Sequence, residues 1–180
     1  MKSILLACLF MTGGTQTPSD QLATALRAGF EAEDRDDGKA LMQAAITLRQ
    51  IGARPVEGEP DLADLWAERA RLLGTKETRL PLWRGRVLGP AYRYGELAAN
   101  ARFTTRQSFI AGQKANVVVE PRGGVKLELA VNDDAGAPVC QVSASSKTLG
   151  CQWVPTFTGT NVIDIVNTEA RPVRFYLILN

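Results

Sequence analysis

The stretch CQVSASSKTLGCQW, Cys140 to Trp153, decides how the rest of the chain is read. Two cysteines stand eleven positions apart, with Trp153 two residues beyond the second. A zinc site needs four ligands, and here there are two thiols in a chain without histidine. A thioredoxin-type pair needs C-x-x-C spacing beside a βαβ unit, and neither is present. The spacing instead predicts a stapled antiparallel hairpin. Setting Cys140 opposite Cys151 also sets Val142 opposite Leu149 and Pro138 opposite Trp153, with the turn at Ser145–Ser146. Cys140, Val142, Leu149, Cys151 and Trp153 then share one face, and a slip of one residue would destroy that agreement. Opposed strand residues have Cα separations of about 4.5–5.5 Å, which a disulfide accepts. Such a bond stabilises by roughly 3 kcal/mol on the loop-entropy model.

A disulfide needs an oxidising compartment. The N-terminus, MKSILLACLFMTGGTQTPSD, fits one. Lys2 is a positive flank, and Ile4 to Met11 is an apolar run too short to span a bilayer. Thr12 and Gly14 are small residues suited to cleavage after Gly14, so residues 1–14 are expected to be a signal peptide. Removing them removes Cys8 and leaves an even pair of cysteines. The expected location is periplasmic or secreted, with no integral membrane segment after signal removal.

Among 180 residues, 45% are apolar and 22% charged, ordinary values for a folded chain. A net charge of +2 gives no strong steering toward nucleic acid, so no nucleic-acid partner is expected. From Asp20 to Arg79 there are 12 acids and 9 bases, whereas from Leu80 onward there are 11 bases and 7 acids. The two parts therefore carry opposite charge. Having no histidine removes Ser-His and Cys-His activation and the commonest transition-metal ligand.

Residues 19–74 have helical spacing. Ser19 or Asp20 is placed to cap a helix from Gln21 that sets Leu22, Leu26 and Phe30 on one face. A second helix from Lys39 carries Leu41, Met42, Ala45, Ile46 and Leu48, and stops at Gly52 and Pro55. Asp61 caps a third, with Leu62, Leu65, Trp66, Ala70 and Leu73 inward. The segment loosely resembles helix-pair repeats, but no second copy at a fixed period exists, so a small helical hairpin or bundle is the expectation. Residues 75–99, with two prolines and four arginines, are expected to be a linker and an irregular edge. Residues 100–180 alternate with period two. Val125, Leu127, Leu129 and Val131 share a face, as do Val173, Phe175, Leu177 and Leu179. About seven short strands separated by turn residues predict an antiparallel β-sandwich, and an α+β fold overall.

The segments FIAGQKANVVVE, VKLELAVNDDAGAPVCQ, CQWVPTFTGTNVIDIVN and RFYLILN together resemble the bacterial pre-peptidase C-terminal domain. Gly112, Leu127, Leu129, Val131, Asp134, Gly136, Trp153, Pro155, Gly159, Asn167 and Tyr176 take the places of that family's pattern. The resemblance covers roughly residues 100–180 and implies a secreted sandwich module of about this size. The acidic residue before the first leucine of the pattern is Lys126 here. Some relatives bind calcium through several carboxylates. Asn132, Asp133 and Asp134 are the weak candidates, but they lack a full D-x-D-x-D-G series and fit a β-turn. No metal and no cofactor is expected.

The resemblance implies an accessory module that aids secretion or substrate binding, and no peptidase domain is present. The leading expectation is therefore a non-catalytic exported protein binding a protein, a glycan or another envelope component. Trp83, Arg84, Arg86, Tyr92, Arg93 and Tyr94 are its candidate contact surface, because aromatic and arginine side chains anchor interfaces. A second reading is a helical adaptor with the sandwich as anchor. A third is a secreted hydrolase with paired carboxylates drawn from Glu96, Glu120, Glu128, Asp133, Asp134 and Asp164, a chemistry that needs no histidine.

Overall fold

The computed structural model describes residues 17–76, 89–123, 125–143 and 148–180. Among these, three helices and nine strands form an α+β fold with a β-sandwich. The helices are α1 (Pro18–Asp34), α2 (Gly38–Ile51) and α3 (Leu62–Leu72). The strands are β1 (Arg54–Pro55), β2 (Ala91–Leu97), β3 (Arg102–Phe109), β4 (Ala115–Pro121) and β5 (Leu127–Asn132). They continue with β6 (Pro138–Val142), β7 (Leu149–Trp153), β8 (Gly159–Asn167) and β9 (Val173–Leu179).

Local chemistry sets the helix ends. Thr17, not Ser19 or Asp20, caps α1. Its hydroxyl accepts from the Asp20 N–H while the Asp20 carboxylate accepts from the Thr17 N–H, and Pro18 supplies a preset φ at the first position. Asp37 and Asp61 cap α2 and α3. Gly52 ends α2 in the left-handed region, at φ 74°.

The strands form two sheets. One has the order β1-β2-β9-β4-β7, the other β3-β8-β5-β6. Between them lies a core built from Val117, Val119, Leu127, Leu129, Ile163, Ile165, Phe175 and Leu177. The helices cover the outer face of the five-stranded sheet, giving three layers. Leu22, Leu26, Phe30, Leu41 and Trp66 pack there against Tyr92, Val118, Tyr176 and Ile178. This explains why β4 is buried at every position and why β9 reads VRFYLIL, apolar on both parities: each strand is covered on both faces. At ~25 cal/mol per Å² of apolar surface, every large side chain in this second interface contributes about 1.5–3 kcal/mol.

The segment expected to be linker and edge contains β2, an interior strand between β1 and β9. Its period is hidden by Arg93 and by Gly95, where a Cβ would lie 2.3 Å from the Phe175 ring. β1 lies within the helical segment yet pairs in parallel with β2, through Arg54↔Ala91 and Pro55↔Tyr92.

Cys140 and Cys151 are bonded, with Cα atoms 5.9 Å apart. They do not form the expected hairpin. β6 pairs with β5 (Val131↔Cys140) and β7 with β4 (Val117↔Cys151), so the bond joins the two sheets across their shared edge. Both cysteines point inward from their own sheets, and the common inward face that favoured a hairpin is equally satisfied by a cross-sheet bond. Ser145 and Ser146 lie outside the described residues.

Candidate binding site

The disulfide closes one lateral side of the sandwich, where β7 meets β6. The opposite side, where β1 and β2 face β3, is open among the described residues. A groove of about 840 Å³ lies there, between Arg54–Glu57 and Ala91 on one wall and Gln107–Ile110 with Lys114 on the other.

The groove runs to one end of the sandwich, where two loops are pinned together. In the β3–β4 loop the Gly112 N–H donates to the Pro155 carbonyl at 2.9 Å, with Gly112 at φ 72°. The Ala111 N–H donates to Thr158 Oγ1 at 2.9 Å. Pro155 is buried and anchors the β7–β8 loop. Beneath the loops Phe109 and Trp153 meet edge to face, with ring centroids 4.8 Å apart. Three large apolar side chains project from this base: Ile110 at 55% exposure, Val154 at 59% and Phe157 at 82%. No acidic residue occurs from Arg102 to Val119 or from Thr148 to Ile163. The surface is therefore apolar with a basic margin, and two backbone-directed hydrogen bonds hold it without needing a bound molecule.

The β5–β6 turn reaches the same end of the sandwich, since Asn132 pairs with Val162. It carries Asn132, Asp133 and Asp134. Asp133 Oδ1 accepts from the Ala137 N–H at 2.7 Å, and Gly136 takes φ 84°, as a tight turn requires. Among the described residues, no group of three or more His, Cys, Asp or Glu side chains is placed to hold a metal ion.

The remaining candidates are dispersed. Tyr92 is not exposed: it is 2% accessible in the core between helices and sheet. Its hydroxyl oxygen accepts from the Leu62 N–H at 2.9 Å, so it fastens the start of α3 to β2. Burial raises its pKa above the ordinary tyrosine value. Arg93 is half-buried, 3.7 Å from Glu59. Tyr94 is exposed on one edge and meets Tyr176 at 5.9 Å, with its hydroxyl 3.3 Å from Glu96. Trp83, Arg84 and Arg86 lie outside the described residues.

The carboxylates do not converge. Glu120 is 2% accessible and bound by Arg27 beneath α1. Asp164 accepts from Thr104 at 2.5 Å on the outer face of the four-stranded sheet, and Glu96 pairs with Arg174 at 3.5 Å. Glu128 is half-buried on β5, opposite Val166. None of the six lines the groove.

Ile110, Val154 and Phe157 are absent from the sequence-derived surface because all three fall in turn segments. The legible signal was an unneeded aromatic in the turn TFTG, where small polar residues suffice.

No protein-family model matches the chain, and no curated protein matches it in sequence. Its structure is similar to the pre-peptidase C-terminal domain of a Bacillus anthracis collagenase, at TM-score 0.44 and 8% identity, covering 49% of this chain and 87% of that one. A Yersinia pseudotuberculosis-derived mitogen gives 0.42 and 12%, covering 51% and 85%. The Aeromonas hydrophila periplasmic inhibitor of g-type lysozyme gives 0.40 and 13%, covering 51% and 84%.

Proposed function

We propose that this chain is an exported, non-catalytic binding module that contacts a protein, a glycan or another envelope component through the pinned loops at the open end of its sandwich. The observation that carries the reading is the outward projection of Ile110, Val154 and Phe157 from two loops held by paired hydrogen bonds. Exposed apolar groups on a preorganised base bind with little loss of entropy. Export is supported by the Cys140–Cys151 bond, which persists in oxidising compartments. The dispersal of Glu96, Glu120, Glu128, Asp133, Asp134 and Asp164 weighs against paired-carboxylate hydrolysis. Leu22, Leu26 and Phe30 of α1 are buried toward the five-stranded sheet, which weighs against a helical adaptor; Leu65 and Leu73, expected inward, are exposed together with Leu72.

The test is sedimentation of the purified protein with an envelope fraction. An Ile110→Ser/Phe157→Ser variant folds with an unchanged melting temperature and loses binding by ten-fold or more. Equal sedimentation of the variant and the parent chain would refute the site.

A further inference from the structure

Sheet edges invite pairing with other chains, and folded proteins blunt them. Among the described residues there are four edge strands, and three of them are blunted. β1 has two residues, one of them Pro55. β6 begins at Pro138, lies beside a register shift at Val131/Asn132 and carries Cys140. β7 has five residues and is tied down by Cys151. β3 is different. It has eight residues, contains neither proline nor glycine, and keeps unbroken register with β8 from Arg102↔Val166 to Phe109↔Gly159.

The phase of its hydrogen bonds can be derived. The Asn167 N–H donates to the Ala101 carbonyl at 2.9 Å, which makes that opposed pair a hydrogen-bonded one. Alternation then directs the backbone groups of residues 103, 105, 107 and 109 toward β8. Those of Arg102, Thr104, Arg106 and Ser108 point away, to the open side. Among the described residues no backbone partner meets them; the Ser108 carbonyl accepts only from Gln107 Nε2, at 3.2 Å. The groove lies along this edge, and its margin is basic. Arg54 and Lys114 line the groove together with Glu57, whereas Arg106 stands on the outer face of the four-stranded sheet; none of these three cations has an ion-pair partner among the described residues.

We infer that the free edge of β3 is a docking site for an extended acidic segment of a partner protein, which adds to the four-stranded sheet as a fifth strand. Main-chain hydrogen bonds to Arg102, Thr104, Arg106 and Ser108 supply the attachment; acidic side chains at alternate positions lie beside Arg106 on the outer face, and the intervening apolar ones face the groove at Phe109 and Leu179. A second copy of this chain is the poorer occupant, because edge-to-edge pairing would set another Arg102 and Arg106 against the first two. The site adjoins the loop contact surface at Ile110 and does not use Val154 or Phe157.

The experiment titrates the folded chain with a blocked peptide alternating Glu and Val, followed by fluorescence anisotropy and by amide hydrogen exchange. Binding is expected, with new exchange protection at Arg102, Thr104, Arg106 and Ser108. Arg106→Pro removes one outward N–H without touching the β8 ladder, and is expected to lower affinity at least ten-fold. Arg106→Ala, which keeps the N–H, lowers it only a few-fold. Phe157→Ser leaves it unchanged, so failure here and failure of the loop site are distinguishable. Absence of binding, equal affinity of Arg106→Pro and the parent chain, or protection at these amides without peptide through self-association would each overturn the inference.

Discussion

Arg27 of α1 and Glu120 of β4 form a two-pronged ion pair, Nε to Oε1 at 2.6 Å and Nη2 to Oε2 at 2.7 Å. Thr148 completes it, donating to Glu120 Oε2 at 2.8 Å and accepting from Arg27 at 2.6 Å. Glu120 is almost wholly buried, and this partner offsets the cost of burying its carboxylate. Arg27→Ala is expected to cost about 3 kcal/mol, the usual consequence of stranding a buried charge, discounted because the arginine side is half open. Chemical denaturation measures it. Replacing both residues by leucine should cost less than Arg27→Ala alone.

Gly29 in α1 lies against the ring of Trp66 in α3, where an added Cβ would stand 2.1 Å from the indole. Trp66 cannot retreat easily: it is buried, and its Nε1 donates to Glu33 at 3.0 Å. Gly29→Ala would gain about 1 kcal/mol in an exposed helix. Here it is expected to destabilise by about 2 kcal/mol through overpacking, so the sign of the change in melting temperature is the readout.

The Cys140–Cys151 bond ties the two sheets where β6 and β7 approach each other. Replacing both cysteines by serine should lower stability by about 3 kcal/mol. Alkylation of the unfolded chain without reductant should leave both thiols unmodified.

All three tyrosines of the chain have pKa values raised above the ordinary value of about 10, chiefly by burial. The folded state therefore holds these protons more tightly than the unfolded state. Their contribution to stability is complete below about pH 10 and falls as the pH rises above it toward the folded-state values. In a spectrophotometric titration, phenolate absorbance should stay low near pH 10 and appear together with the loss of tertiary structure. Tyr94 is the most exposed and should ionise first. A phenolate of normal pKa in the native protein would contradict the packing of Phe30 on Tyr176, whose rings stack at 4.5 Å.

Much of the architecture was legible because period-two alternation and helix caps are local. Leu127, Leu129 and Val131 point to one core as expected, and Asp61 caps α3 as expected. What the chain hides is which surface covers which. Val173, Phe175, Leu177 and Leu179 were recognisable as one face, but Tyr176 and Ile178 face the helices, a layer that alternation alone cannot place. The same limit applies to the cysteines, since inward parity does not distinguish a hairpin from a cross-sheet bond. Tyr92 misled for a chemical reason: a phenol with a backbone partner is stable in a core, although aromatic and arginine neighbours suggest a surface. The candidate site was the least legible part. Ile110, Val154 and Phe157 come together only because Gly112 meets Pro155 and Ala111 meets Thr158.

Site-specific photo-crosslinking in living cells decides whether the loop surface meets a partner. A benzophenone side chain would be introduced in turn at Ile110, Val154 and Phe157, and at the exposed controls Leu72 and Tyr94. A discrete adduct is expected from the three loop positions and none from the controls. Adducts from Leu72 or Tyr94, with none from the loops, would contradict it.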